Sequence, residues 1–135
     1  GTRGMMMRGM ILVLVVAGAL GMTAPAVAQD WTYITESDAG SVHYFDPASL
    51  NRSGAMVQFW SREDARDADV EDEYPRVSEA LEEIDCAAGK LRLIEIVDRD
   101  DMLQEVDRFD FRSEVVWNDI KPDTVADSKR KAVCK

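Results

Sequence analysis

The sequence predicts an α+β domain: an antiparallel β-sheet carrying one C-terminal helix tethered by a disulfide. Three observations lead there. Short runs of β-branched and aromatic residues alternate with polar ones and are separated by turn signals. A capped helical segment follows Pro122. The two cysteines, Cys86 and Cys134, place the middle of the chain and its end within reach of one bridge.

The order of elements begins after an address. Arg3 and Arg8 precede thirteen uncharged residues, Met10 to Met22, and small residues stand at Ala26 and Ala28. This pattern predicts a secretory signal peptide over residues 1–28, cleaved after Ala28. The apolar run is shorter than the roughly twenty residues a membrane span needs, so no stable membrane insertion of the mature chain is expected. Residues 29–135 form the domain, exported to the periplasm or the cell surface. An even cysteine count in an exported chain reads as one disulfide. The 48 intervening steps do not suit a C-x-x-C redox pair, and His43 is too few to complete a zinc site.

Charge narrows the partners. The chain has 135 residues, with 16 Lys and Arg against 26 Asp and Glu. The formal net charge of -10 becomes -12 once Arg3 and Arg8 are removed. No nucleic acid is expected as a partner, because phosphates reward a basic surface. Extracellular proteins with basic surfaces are favoured.

Trp31 to Ser37 alternates as a strand and ends at the turn Asp38-Ala39-Gly40. Ser41 to Asp46 is a second strand, stopped by Pro47. After a turn at Asn51 to Gly54, Ala55 to Glu63 places Val57, Phe59 and Ser61 on one face. Met56, Gln58 and Trp60 take the other. The three strands read as an antiparallel meander. Ala65 to Tyr74 is an acidic surface loop. Asp67, Asp69 and Glu71 fall at alternate positions, but Asp72 and Ser78 stand where a calcium loop needs Gly and Glu.

Arg76 to Asp85 is ambiguous. Val77, Ala80, Leu81 and Ile84 recur at helical spacing, and period alone predicts a helix. Lys90 to Val97 is a strand, Asp98 to Asp101 a hairpin turn, and Leu103 to Phe111 a returning strand. Val115 to Trp117 is a short apolar stretch. Pro122 opens the last helix, with Thr124 and Asp127 at capping-box spacing. Val125, Lys129, Ala132 and Val133 share one face. Lys129, Arg130 and Lys131 occupy the last turns, where the helix dipole favours cations.

Several signposts recur in a fixed order. They are Trp31, Tyr44-Phe45-Asp46 with Ser49-Leu50, Val57 with Trp60, Ile84-Asp85-Cys86 with Arg92, and Trp117-x-x-Ile120-x-Pro122, ending at Cys134. In this order the chain resembles the surface-adhesin protein E family over nearly all of Trp31 to Cys134. The resemblance implies a sheet of about six strands with the helix held by the disulfide. It also makes Ala80 to Cys86 a strand, and that reading is preferred here because tertiary context overrides propensity. Ala80, Glu82, Ile84 and Cys86 would then share a face, which makes the exposure of Glu82 a checkpoint.

The resemblance implies an envelope adhesin that binds host matrix proteins or plasminogen, with no catalytic residues and no cofactor to transfer. Candidate binding residues are Trp31, Tyr44 and Trp117, together with Lys135. As the last residue, Lys135 offers an ammonium and a carboxylate, the ligand type of a kringle lysine pocket. The alternative is a periplasmic small-ligand or envelope-maintenance protein, with a pocket under the helix lined by Trp31, Tyr44, Phe59 or Trp117. His43 reads as an ordinary strand residue rather than a haem ligand. With Asp46 it forms the nearest acid–imidazole pair, but the two face opposite sides of a strand, and no G-x-S-x-G motif is present. Exposed sheet edges leave a homodimer open.

Overall fold

A computed structural model describes residues 30–135; the predicted signal peptide lies outside the described residues. Eight strands form one antiparallel sheet. They are β1 (Thr32–Glu36), β2 (Val42–Phe45), β3 (Asn51–Ser53), β4 (Met56–Asp64), β5 (Val77–Asp85), β6 (Lys90–Arg99), β7 (Glu105–Asp110) and β8 (Asn118–Asp119). A single helix, α1 (Val125–Val133), follows. The six-strand path runs β1-β2-β4-β5-β6-β7, with β3 added to β4 and β8 to β6. The long strands β4, β5 and β6 form the centre. Each outer neighbour of this centre is two short strands in tandem, β2 with β3 on one side and β7 with β8 on the other.

The alternation seen in the sequence sets the faces. Val57 and Phe59 of β4, Ile84 of β5 and Phe45 of β2 turn to the helix side and pack with Val133 of α1. Phe59, Ile84 and Val133 are fully buried. A buried side chain of this size stabilises by roughly 2–3 kcal/mol. Ile34, Leu50, Leu91, Ile120 and the disulfide close the rim of this core. Asp46 ends β2 by accepting a hydrogen bond from the Ala48 N–H at 3.0 Å, which starts the short 3-10 turn Pro47–Ser49.

Two predicted elements need correction, and the ambiguous one is a strand as preferred. The turn placed at Asn51 to Gly54 is mostly strand, since β3 pairs with β4 and only Gly54, at φ 61°, makes the reversal. The hairpin turn placed at Asp98 to Asp101 lies further on. Asp100 accepts from the N–H groups of Met102 and Gln104, both at 2.9 Å, and holds Leu103 at φ 65°. The helical period of Arg76 to Asp85 is overridden as the resemblance implied, because β4 and β6 pair with β5 along both edges. Its apolar residues divide between two partly covered faces, which imitates a helical spacing. Its glutamates each meet a basic partner. Glu79 pairs with Arg62 and Arg99, Glu83 with Arg92, and Glu82 with Lys129.

Helix α1 is nine residues long, too short to persist alone. Thr124 caps it by accepting from the Asp127 N–H at 3.1 Å, and the Asp127 carboxylate accepts from the Asp123 N–H at 3.1 Å. At the other end Arg52 donates to the Val133 carbonyl at 2.6 Å. The Cys86–Cys134 bridge, with Cα atoms 5.7 Å apart, ties the helix to the end of β5. Closing a loop across a separation of 48 residues contributes roughly 4 kcal/mol in the chain-entropy model. The Cys86→Ser/Cys134→Ser variant is therefore expected to lose about that much stability. Urea unfolding of the two proteins under non-reducing conditions measures the difference.

Candidate functional site

On the helix side of the sheet the apolar surface stops at one level. Along β4, Phe59 gives way to Ser61 and Glu63; along β5, Ile84 gives way to Glu82, Ala80 and Ser78; along β2, Phe45 gives way to His43. The register aligns these changes. Phe59 lies beside Glu82, Ser61 beside Ala80 and Phe45, and Glu63 beside His43 and Ser78. The result is a polar floor under α1. Lys129 descends from the helix to form one wall, and Leu93 and Ile96 of β6 form the other. The half-open cavity measures about 160 Å³.

The charges in this cavity are organised around Glu82, which is 2% exposed. Its Oε2 accepts from Lys129 Nζ at 2.6 Å and from the Ser61 hydroxyl. A buried carboxylate is tolerated only with such partners. Glu63 accepts from the Tyr74 hydroxyl at 2.9 Å and lies 4.0 Å from His43 Nε2. Burial pushes the His43 pKa below its ordinary 6.5 and Lys129 adds to that, against the opposing pull of Glu63 and Glu82. His43 is therefore a neutral imidazole at pH 7, able to accept a proton or a hydrogen bond.

The aromatic candidates lie elsewhere. Tyr44 alternates with His43 and Phe45 and so occupies the opposite sheet face, beside Arg62 in the register. Arg62 stacks over Trp31 at 4.8 Å, and Tyr44 meets Tyr33 edge-on at 6.5 Å. Trp117 lies under Arg92 at 5.6 Å, across the sheet from Trp31. Of the residues expected under the helix only Phe59 is there, and it is buried core. Lys135 is exposed just beyond Cys134. Asp46 is occupied by its turn and does not join His43. Among the described residues, no group of three His, Cys, Asp or Glu side chains is placed to hold a metal ion.

The edge of the sheet is a second surface. All six residues of β7 are exposed, and Val106 and Phe109 stand among Glu105, Asp107 and Asp110. Val115 and Val116 add apolar surface beside it. Arg108 is held by Glu105 at 2.7 Å and by Glu95.

In sequence Lys129 fits a dipole partner in the last turns, and neither Ser61 nor Glu63 stands out as a site residue. The signal was present: Lys129 shares the buried stripe of α1, and Glu82 shares a strand face with Ile84. Two inward charges of opposite sign point to each other.

These features define a β-sheet domain closed on one face by a disulfide-tethered terminal helix. The chain belongs to the surface-adhesin protein E family, whose family model matches residues 31–135. Its fold is similar to protein E from non-typeable Haemophilus influenzae, at 18% identity and a TM-score of 0.51, covering 83% of this chain and 81% of that one. A second crystal form of the Haemophilus influenzae protein gives 17% identity and a TM-score of 0.53, covering 83% and 94%. No curated protein matches. Among the described residues, no helix is long and apolar enough to cross a membrane.

Removing Lys129 strands a buried carboxylate. Lys129→Met is expected to cost about 3–5 kcal/mol, and Lys129→Met with Glu82→Leu to recover most of it, as read by chemical denaturation. His43 adds a pH dependence. Its lowered pKa means the unfolded chain binds a proton that the folded chain refuses, so stability is full above pH 6.5 and falls as the pH drops below it. Asp64 and Asp127, held below the usual carboxylate range by Arg66 and Arg130, lose their contributions only at lower pH. His43→Gln is expected to flatten the stability profile between about pH 7.5 and 5, measured by urea midpoints.

Proposed function

We propose that this chain is an exported, non-catalytic binding protein of the bacterial envelope that engages extracellular proteins. Membership of the adhesin family supports the class. The observation that carries the surface is β7, an outer strand with every residue exposed and with two apolar side chains set among carboxylates. An unpaired edge can accept an extended segment of a partner, with main-chain hydrogen bonds supplying affinity and alternate side chains supplying selectivity. The acidic side chains favour a basic segment. The net charge of the mature domain works against a second copy of the chain on the same edge. The paired Arg and Glu rows on the open face add a polar surface whose charges are already satisfied internally.

Cells expressing the chain are expected to bind immobilised matrix proteins or plasminogen better than a null strain, with binding that weakens as salt rises. Asp107→Lys with Asp110→Lys is expected to reduce retention about tenfold. Equal binding by the null strain, or full retention by the variant, contradicts the proposal.

A further inference from the structure

We propose that the cavity beneath α1 binds a small organic ammonium ion. Its charged head lies on Glu63, Glu82 and His43, and its hydrocarbon part runs along Leu93 toward Phe111 and Val116. Its ammonium end lies away from the β7 edge, its tail approaches the Val116 surface beside that edge, and it does not depend on the adhesin reading.

Four observations support it. First, the space is suitable. The cavity of about 160 Å³ has room for roughly five water-sized groups. It adjoins a second groove of about 250 Å³ lined by Leu93, Phe111, Glu114, Val116 and Asn118. Leu93 lines both, so a polar pocket opens onto an apolar track.

Second, the charges do not cancel. Glu63 and Glu82 face the single ammonium of Lys129, which is bound to Glu82. Neutral His43 leaves Glu63 as the uncompensated charge. An anionic ligand would meet two carboxylates, whereas a cation completes the balance. A cation is tolerable beside Lys129 only because the second carboxylate is present.

Third, the free acceptors match an ammonium head. Both protein hydrogen bonds to the Glu82 carboxylate go to Oε2, so Oε1 has no protein donor among the described residues. The His43 ring makes no hydrogen bond among them, though its residue exposure is only 8%. Buried polar groups without partners are uncommon. Glu82 Oε1, a Glu63 oxygen and a His43 nitrogen are three acceptors, and a primary ammonium has three N–H donors.

Fourth, the spacing disfavours a bare metal ion. Metal ligands must converge to about 2–2.5 Å from one point, and these side chains are not so placed. Hydrogen bonds to nitrogen accept the longer reach of about 2.9 Å.

The test is titration of the full exported chain with n-hexylammonium, methylammonium and hexanoate. Calorimetry and the His43 ring resonances report binding. Hexylammonium is expected to saturate and shift the His43 signals. Methylammonium, which lacks the tail, and hexanoate, which has the wrong charge, are each expected to bind at least about tenfold more weakly. Glu63→Gln is expected to weaken hexylammonium about tenfold while circular dichroism stays unchanged. Val116→Lys, at an exposed position, is expected to weaken hexylammonium but not methylammonium. Affinity is also expected to fall as the pH drops through the lowered pKa of His43, at a point below 6.5, because a protonated His43 becomes a second fixed cation. Absence of saturable hexylammonium binding, or hexanoate binding as tightly, overturns the proposal.

Discussion

The ion pair between Lys129 of α1 and Glu82 of β5 is the constraint on which the helix side of this domain depends. Glu82 is almost fully buried in a central strand, where a carboxylate without partners would prevent docking. Lys129 and Ser61 supply those partners. The pair therefore fixes the rotation of α1 about its axis and directs Val133 into the core. The disulfide fixes the end of the helix, and Arg52 satisfies its last carbonyl. A nine-residue helix with little apolar surface is retained by these few specific contacts rather than by a broad hydrophobic stripe.

The same arrangement divides the sheet into regions of different character. Beneath the C-terminal half of α1 the surface is apolar. Beneath Lys129 it becomes polar and hollow, with His43 and Glu63 at the side. Beyond Leu93 it opens onto β7, which has no neighbour on its outer edge among the described residues. The opposite face follows another rule. Arg62, Glu79 and Arg99, and then Glu83 and Arg92, alternate across adjacent strands and pair with one another. Trp31 and Trp117 pack on the arginines of this network. Arginine suits that role because its planar, weakly hydrated head can stack and pair at once.

Much of the fold was legible in the sequence because period-two alternation is a direct consequence of strand geometry. β2 and β4 follow it throughout, with Val57, Phe59 and Ser61 on one face, whereas β1 breaks it at Ile34 and β6 at Ile94. β5 was not legible from its own residues. Its glutamates and apolar spacing favour a helix locally, and only the partners on β4, β6 and α1 make the strand competitive. The cysteine pair and the capped helix were legible because each rests on local chemistry. The candidate site was less so. Aromatic character singled out Trp31, Tyr44 and Trp117, but the side of the sheet they occupy depends on register. His43, Ser61, Glu63 and Glu82 lie on three strands and become one site only when the pairing is set. Lys129 looked like a dipole partner because its place in sequence fits that role equally well.

The seating of α1 over the sheet rests on Lys129 buried as a cation against Glu82. Nuclear magnetic resonance of the Lys129 ammonium group at pH 7 tests it most directly. The expected result is a distinct, slowly exchanging ammonium signal with close contacts to Glu82 and Ser61. Rapid exchange with solvent and no contact to either residue would contradict the account, because the helix could not then be docked as described.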